Sequence, residues 1–205
     1  GDKLSKRDNV ISIESFRDKH IEPLAILSLL ATIGTSNSIE LKDSLQQIIN
    51  EFRIKTISTS PGRIEIDLLN SLNKKLIQKF DYSEIEDRLK KIDDRIDRNF
   101  WETTRGNLDI VEDIKGWGDI VFNSNPIEPV DKEFIKIALD LMPDEPWNDE
   151  TWSNWTSKIK DKTGKKGKDL FLPLREAFTG MSHGPEMKKL IQLLGRDKIL
   201  ERVKI

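Results

Sequence analysis

Residues near the start of the chain have the types and spacing that could bind a triphosphate. In the sequence KLSKR, Lys3 and Lys6 flank Ser5 on a short segment that precedes a predicted helix. Such a loop can fold over phosphates, because the lysine ammonium group is a compact cation on a flexible side chain. It can therefore stabilise the negative charge that develops on phosphate oxygens during a reaction. The pattern alone favours an exposed basic tail, so the phosphate-binding interpretation depends on the rest of the sequence.

A second basic segment, residues 164–185, has the composition of an anion-binding site. Three lysines lie between glycines at a predicted helix N-terminus, where backbone N–H groups and the helix dipole also attract phosphate: Lys165, Lys166 and Lys168. Arg175 follows within about two helical turns, and a polar loop runs from Thr179 past Gly184 to Pro185. Considered alone, the segment slightly favours a solvated basic loop with a structural arginine.

The five tryptophans could stack on unpaired bases, but their spacing favours a hydrophobic core. Trp152 and Trp155 are three residues apart on one predicted helix face. Trp117 is in phase with Ile114 and Val121. We therefore assign the tryptophans to the core.

The composition excludes several kinds of site. The absence of cysteine and the presence of only two histidines exclude a thiol nucleophile, a disulfide framework and a zinc site, and we predict no metal site. His183 stands in a Ser-His-Gly-Pro turn without the acid or nucleophile that base catalysis would need. The longest apolar stretch, Leu24–Ile33, is about half the roughly 20 residues that cross a bilayer, so no membrane partner is expected.

The charge is unevenly distributed along the chain. The 205 residues include 34 Lys and Arg against 36 Asp and Glu, and this total of −2 argues against a strongly basic nucleic-acid binder. Residues 109–150, however, carry −9, whereas residues 158–205 carry +7. A basic C-terminal end is what binding to a phosphate backbone would need, although a charged helical surface explains the asymmetry equally well.

Helical periodicity dominates the sequence and predicts an all-α fold. Glycine after several apolar runs indicates C-terminal caps, Pro173 is expected to kink or end its helix, and residues 123–129 are predicted to be a linker. The predicted helices span residues 12–19, 23–33, 41–52, 67–80, 83–92, 100–104, 110–122, 131–142, 149–162, 168–179, 185–194 and 197–203.

Taken together, the motifs resemble the glutamyl-tRNA synthetase family of class I. KLSKR (Lys3, Leu4, Ser5, Lys6, Arg7) is similar to the family's KMSKS signature loop, and residues 62–77 (GRIEIDLLNSLNKKLI) resemble its next segment. Residues 147–203, especially KKGK, PLREAFTG, HGPE and LLGRDKILER, are similar to its final anticodon-binding domain, most closely in the alphaproteobacterial branch.

The resemblance implies roles for particular residues. Lys6 matches the signature-loop lysine that contacts ATP, used with Mg2+ when glutamate is activated. Arg175 matches an anticodon-contacting arginine, with the loop through Gly184 and Pro185 close to the anticodon bases. Arg105 matches a second anticodon contact over a shorter stretch.

The resemblance also implies partners and organisation. The expected partners are tRNA(Glu), with tRNA(Gln) left open, and ATP and L-glutamate in the longer enzyme, which we expect to be cytoplasmic and monomeric. The expected all-α parts are a signature-loop and stem-contact region (1–82) and a two-part helical anticodon-binding domain (83–126 and 127–205).

The same resemblance places the family's Rossmann part before Gly1, so we expect these 205 residues alone not to aminoacylate tRNA. The alternative from a different class is a helical protein-interaction module without an RNA role, which the acidic middle of the chain favours.

Overall fold

The computed structural model describes residues 12–59 and 64–205, and the KLSKR residues Lys3, Leu4, Ser5, Lys6 and Arg7 lie outside these ranges. Within them the all-α prediction is confirmed, since the backbone forms helices and no strand beyond one isolated parallel bridge between Ile127 and Val203. The helices are α1 (Ile13–Asp18), α2 (Pro23–Thr32), α3 (Leu45–Glu51), α4 (Ile66–Lys79), α5 (Tyr82–Ile92), α6 (Arg98–Thr104), α7 (Ile114–Phe122), α8 (Lys132–Asp140), α9 (Thr151–Thr163), α10 (Lys168–Thr179), α11 (Met187–Leu194) and α12 (Arg196–Arg202).

The chain forms two compact units. The first contains the described residues up to Ile85 together with Leu108–Asp113, and the second contains Glu86–Asn107 and Ile114–Ile205. The three-part division predicted from the sequence stays a prediction.

The first unit packs α1, α2 and α4 around a small apolar core that includes Phe16, Leu29 and Leu72. Asn73 of α4 is fully buried within this unit. Its side chain accepts a hydrogen bond from the Glu22 N–H (2.8 Å) and donates one to the Asp109 carbonyl (2.7 Å). One amide therefore ties the start of α2 to residues 108–113.

The second unit is built around stacked aromatic rings. Trp155 and Phe178 stack with centroids 5.3 Å apart, and the Trp155 indole donates to the Ala138 carbonyl at 2.8 Å. Trp101, Trp117 and Trp155 are buried, as the sequence predicts. The remaining two tryptophans are only half-buried, so the assignment of all five to the core is wrong.

Two predicted helices begin four residues later in the structure than expected. The helix predicted from Leu41 begins at Leu45, because the Ser44 hydroxyl accepts from the Gln47 N–H and caps it there. The helix predicted from residue 110 begins at residue 114 after a 3₁₀ turn. Helix α10 has the predicted bounds, Lys168–Thr179, and it does not end at Pro173, which lies inside it.

The segment predicted as a linker is anchored to the C-terminal helix. Ile127 donates to the Arg202 carbonyl at 2.8 Å and accepts from the Lys204 N–H at 2.9 Å. The buried Arg202 guanidinium donates to the carbonyls of Phe178 (2.7 Å), Asn123 (2.6 Å) and Ile120. One side chain thus joins the ends of α7 and α10, and burial lowers the pKa of Arg202.

Candidate nucleic-acid interface

An open groove in the second unit gathers side chains suited to an unpaired nucleotide. Its walls come from α9, α10 and the start of α11, and its lining residues are Trp152, Phe171, Arg175, Glu186, Met187 and Lys188. Phe171 and Arg175 are four residues apart on α10 and therefore share one helix face. An aromatic ring and a guanidinium consequently border the same space.

Arg175 is held at the groove by the loop that follows its own helix. Its Nη2 donates to the Pro185 carbonyl at 2.9 Å, whereas Nη1 is buried and has no hydrogen-bond partner in the structure. Burial lowers the pKa of Arg175, but an arginine remains protonated at neutral pH. Arg175 therefore places a cation at the groove, with one guanidinium nitrogen held by the loop and the other buried.

The loop over Arg175 has a conformation that requires glycine. Gly184 has φ +140°, and a Cβ there would lie 2.1 Å from Cη2 of Trp117. Thr179 is buried, and its hydroxyl donates to the Arg175 carbonyl (2.8 Å) and accepts from the Met181 N–H (3.0 Å). These contacts end α10 and fix the path of the loop to Pro185.

The three predicted lysines lie at the other end of α10 and are not equivalent. Lys165 pairs with Asp131 at 2.7 Å and lies 4.3 Å above the Phe134 ring. The hydrogen bond from Lys165 also holds the pKa of Asp131 below its ordinary value. Lys166 and Lys168 are exposed beside the helix N-terminus. Lys168, the first residue of α10, is about 10 Å along the helix axis from Arg175. One helix therefore carries a basic end and one wall of the groove.

Two aromatic rings line the groove although the sequence analysis did not place them there, since it assigned Trp152 to the core and did not consider Phe171. Phe171 is 45% exposed, and its ring centroid lies 6.3 Å from that of Trp152 at an angle of 40°. Trp152 in turn packs edge-on against buried Trp155 at 5.9 Å. The spacing of Phe171 and Arg175 could have shown that they share a face, but the packing of α9 on α10 has no local sequence signal.

One ion pair connects two walls of the groove. The Asp149 carboxylate, just before α9, accepts from Lys189 of α11 at 2.7 Å and from Gln192 at 3.0 Å. The Lys189 hydrogen bond is the largest cause of a lowered pKa of Asp149. This contact joins the two helices that flank the groove.

The remaining sequence candidates lie elsewhere in the structure. Arg105 is half-buried in a 3₁₀ turn of residues 105–107 and does not line the groove. His183 is exposed, with Nδ1 3.4 Å from the Ser182 hydroxyl. Over residues 12–59 and 64–205 no cluster of three or more potential metal ligands occurs. No helix in these ranges has the length and apolar character to cross a bilayer.

Comparison with known proteins identifies a family for most of the chain. The family described as "Anticodon binding domain" matches residues 67–205. The chain is 40% identical to glutamate–tRNA ligase 1 of Bartonella quintana, covering 100% of this chain and 46% of that protein. It is 36% identical to glutamate–tRNA ligase 1 of Anaplasma marginale, covering 100% and 47%. The chain thus spans about half the length of the curated relatives it matches.

Solved structures share the fold at lower identity. A glutamate tRNA ligase from Elizabethkingia meningosepticum superposes with a TM-score of 0.73 at 16% identity, over 90% of this chain and 41% of that one. The glutamate–tRNA synthetase from Elizabethkingia anophelis gives 0.70 at 17% identity, over 90% and 40%. At these identities the likeness concerns the fold alone.

Proposed function

This chain belongs to the anticodon-binding domain family, and we propose that it is the tRNA-binding part of a glutamate–tRNA ligase. The proposed RNA partner is tRNA(Glu), and tRNA(Gln) is the second tRNA to be tested. The observation that carries the proposal is the groove, in which Arg175 lies on one helix face with an exposed aromatic ring. Unpaired anticodon bases suit such a site, because single-stranded RNA is read by stacking and by hydrogen bonds to base edges.

The aromatic rings and Arg175 have distinct proposed tasks in the groove. The Phe171 and Trp152 rings provide stacking surface for a base that leaves the anticodon stack. The unused Nη1 donor of Arg175 hydrogen-bonds to a base edge after a small rearrangement of the loop at Pro185. Lys188 is paired with the Glu186 carboxylate at 3.1 Å and is therefore given no phosphate contact.

The basic end of α10 is proposed to contact the RNA backbone. Lys166 and Lys168 are exposed cations at a helix N-terminus, where the dipole adds to their attraction for phosphate. Such contacts add affinity without reading sequence. Lys165 has a positioning role instead, since it is paired with Asp131.

The activity of the longer protein is part of the proposal. It would activate L-glutamate with ATP and join it to tRNA, and Mg2+ would accompany ATP as part of the substrate. Lys6, with Lys3, Leu4, Ser5 and Arg7, would bind the triphosphate, on the strength of the KLSKR resemblance. We further propose that the longer enzyme is a cytoplasmic monomer and that this chain alone does not aminoacylate tRNA.

Three variants of this chain separate base reading from phosphate binding. The measurement is the affinity for tRNA(Glu) and for the same tRNA with a substituted anticodon. Arg175→Ala should reduce the preference for the cognate anticodon by about 1–3 kcal/mol. Arg175→Lys should lose most of it too, because lysine keeps the charge but not the planar fork. Lys166→Ala should lower the affinity for both tRNAs by the same factor. It should also reduce the slope of log affinity against log salt concentration by about one.

The outcomes are distinguishable. If Arg175→Ala lowers the affinity for both tRNAs by the same factor, Arg175 binds phosphate and the proposed base contact is wrong. If Lys166→Ala changes the anticodon preference, the division of α10 into a backbone-binding end and a base-reading groove is wrong. If neither tRNA binds at low salt, the helical protein-interaction module becomes the better explanation.

A further inference from the structure

Arg202 of α12 connects the two helices on which the loop of residues 180–185 depends. Its side chain is 1% exposed. The guanidinium donates to the Phe178 carbonyl at 2.7 Å, in the last turn of α10, and to the carbonyls of Ile120 and Asn123 at the end of α7. The last carbonyls of a helix have no partner within that helix. This one side chain therefore fixes the ends of both helices relative to each other.

One path of contacts leads from Arg202 through α10 to the backbone of Arg175. Phe178 is followed by Thr179, whose hydroxyl donates to the Arg175 carbonyl at 2.8 Å and accepts from the Met181 N–H at 3.0 Å. A displaced last turn of α10 would therefore move the start of the loop.

A second path leads through α7 to the guanidinium of Arg175. Trp117 lies one helical turn before Ile120 on α7, and its buried ring faces Gly184, where an added Cβ would lie 2.1 Å from a ring carbon. The next residue, Pro185, accepts a hydrogen bond from Nη2 of Arg175 at 2.9 Å. The two paths therefore reach the two ends of the same loop.

Lys198 lies one turn before Arg202 on the same face of α12. Its Nζ donates to the Val121 carbonyl at 2.7 Å. Among the described residues this is its one side-chain hydrogen bond, so Lys198 stabilises the end of α7 without reaching α10. The two cations therefore differ in one respect, which is the connection between α7 and α10.

We propose that Arg202 is a positioning residue for anticodon recognition, which sets where the 180–185 loop holds the Arg175 guanidinium. Arg202 does not line the groove and is buried, so it acts without touching RNA. A donor fixed before binding loses less freedom when it meets a base edge. A loosened loop would spread Arg175 over several positions, and the cognate anticodon would lose more affinity than an exchanged one. The inference rests on the proposed function, because it assigns Arg202 an effect on base reading by Arg175.

Hydrogen exchange tests the positioning step without any tRNA. The N–H groups of Gly180 and Met181 are both hydrogen-bonded, so their exchange reports opening of the loop. Arg202→Met should speed the exchange of these amides by a larger factor than that of amides within α9. Lys198→Met is the matched control and should leave the exchange of the loop unchanged, because it removes a cap of α7 alone.

The anticodon preference tests the effect on recognition. The preference is the ratio of affinities for tRNA(Glu) and for the same tRNA with an exchanged anticodon. Arg202→Met should reduce it by about 2- to 30-fold, the size expected for residues that act on a site without touching the ligand, and Lys198→Met should preserve it. In the Arg175→Ala background Arg202→Met should reduce the preference no further, because Arg202 acts through Arg175. Arg202→Lys, which keeps the charge but not the fork, should show the same pattern at smaller size and replaces Arg202→Met if that variant does not fold.

Several results would overturn the proposal. Equal acceleration of exchange in the loop and in α9 would mean that Arg202 contributes only to global stability. An unchanged preference in both Arg202 variants, when Arg175→Ala lowers it, would mean that Arg202 does not position the base contact. A further loss in the Arg175→Ala background would mean that Arg202 acts by another route. If Arg175→Ala itself leaves the preference unchanged, the proposed base contact is wrong, and the exchange result alone decides whether Arg202 fixes the loop.

Discussion

Replacing Gly184 with alanine should disturb the candidate anticodon groove through one identifiable contact. The added Cβ would lie 2.1, 2.8 and 3.1 Å from three ring carbons of Trp117. Trp117 is buried and cannot move away freely. The loop must therefore shift, and with it the Pro185 carbonyl that holds Arg175.

The magnitude follows from two separable costs. Overpacking of a well-packed site costs about 1–3 kcal/mol. The backbone cost of a side chain at φ +140° adds about 1–3 kcal/mol. We expect Gly184→Ala to lower the free energy of unfolding by about 2–6 kcal/mol.

A double-mutant cycle with Trp117→Leu isolates the contact. Urea unfolding gives the free energy for the original chain, both single variants and the double variant. The penalty of Gly184→Ala should fall by about 1–3 kcal/mol in the Trp117→Leu background, because the overpacking disappears while the backbone cost remains. Gly164→Ala is the control for backbone strain, since Gly164 has φ +70° and no atom lies within 4 Å of the place that an added Cβ would take.

Two results would refute this reasoning. A Gly184→Ala penalty no larger than that of Gly164→Ala would mean that the ring does not confine the loop. Equal penalties in the Trp117 and Leu backgrounds would mean that backbone strain alone explains the effect. In either case the contact between Gly184 and Trp117 of α7 would not fix the loop that holds Arg175.

Three further predictions concern hydrogen bonds and ion pairs that stabilise the fold within each unit. Arg202→Met should lower the free energy of unfolding by about 3 kcal/mol in urea, because each carbonyl left buried without a donor costs about 1–3 kcal/mol, whereas exposed Lys204→Met should change little. Asn73→Ala should cost about 1–3 kcal/mol through its two lost partners, measured in the same way. The lowered pKa values of Asp131 and Asp149 mean that their ion pairs stabilise the fold above the ordinary aspartate pKa of about 4 and lose this effect as the pH falls through the lowered values. Asp149→Asn should therefore flatten the acid side of a stability–pH profile, and an unchanged profile would contradict this assignment.

Local sequence patterns predicted much of the fold. The apolar period and the glycines after α9 and α10 predict those helices and their ends, and Gly164 and Gly180 have the expected left-handed conformation. Buried Trp117 and Trp155 follow from the same period. These features depend on neighbours a few residues away in the chain, which is why the sequence suffices for them.

Contacts between distant residues could not be predicted in this way. The groove depends on the packing of Trp152 against Phe171, and the anchoring of residues 123–129 depends on Arg202. Neither pair is close in sequence. Lys165, one of the predicted phosphate ligands, is likewise paired with Asp131, which is distant in sequence. The local pattern could not show this pairing.

The most direct test of anticodon recognition is the affinity of this chain for tRNA(Glu) and for the same tRNA with an exchanged anticodon, over a range of salt concentrations. Recognition by the groove predicts tighter binding of the cognate anticodon at every salt concentration. It also predicts that the logarithm of affinity falls linearly with the logarithm of salt, with a slope of several units. Equal affinity for both tRNAs, or no binding at low salt, would contradict it.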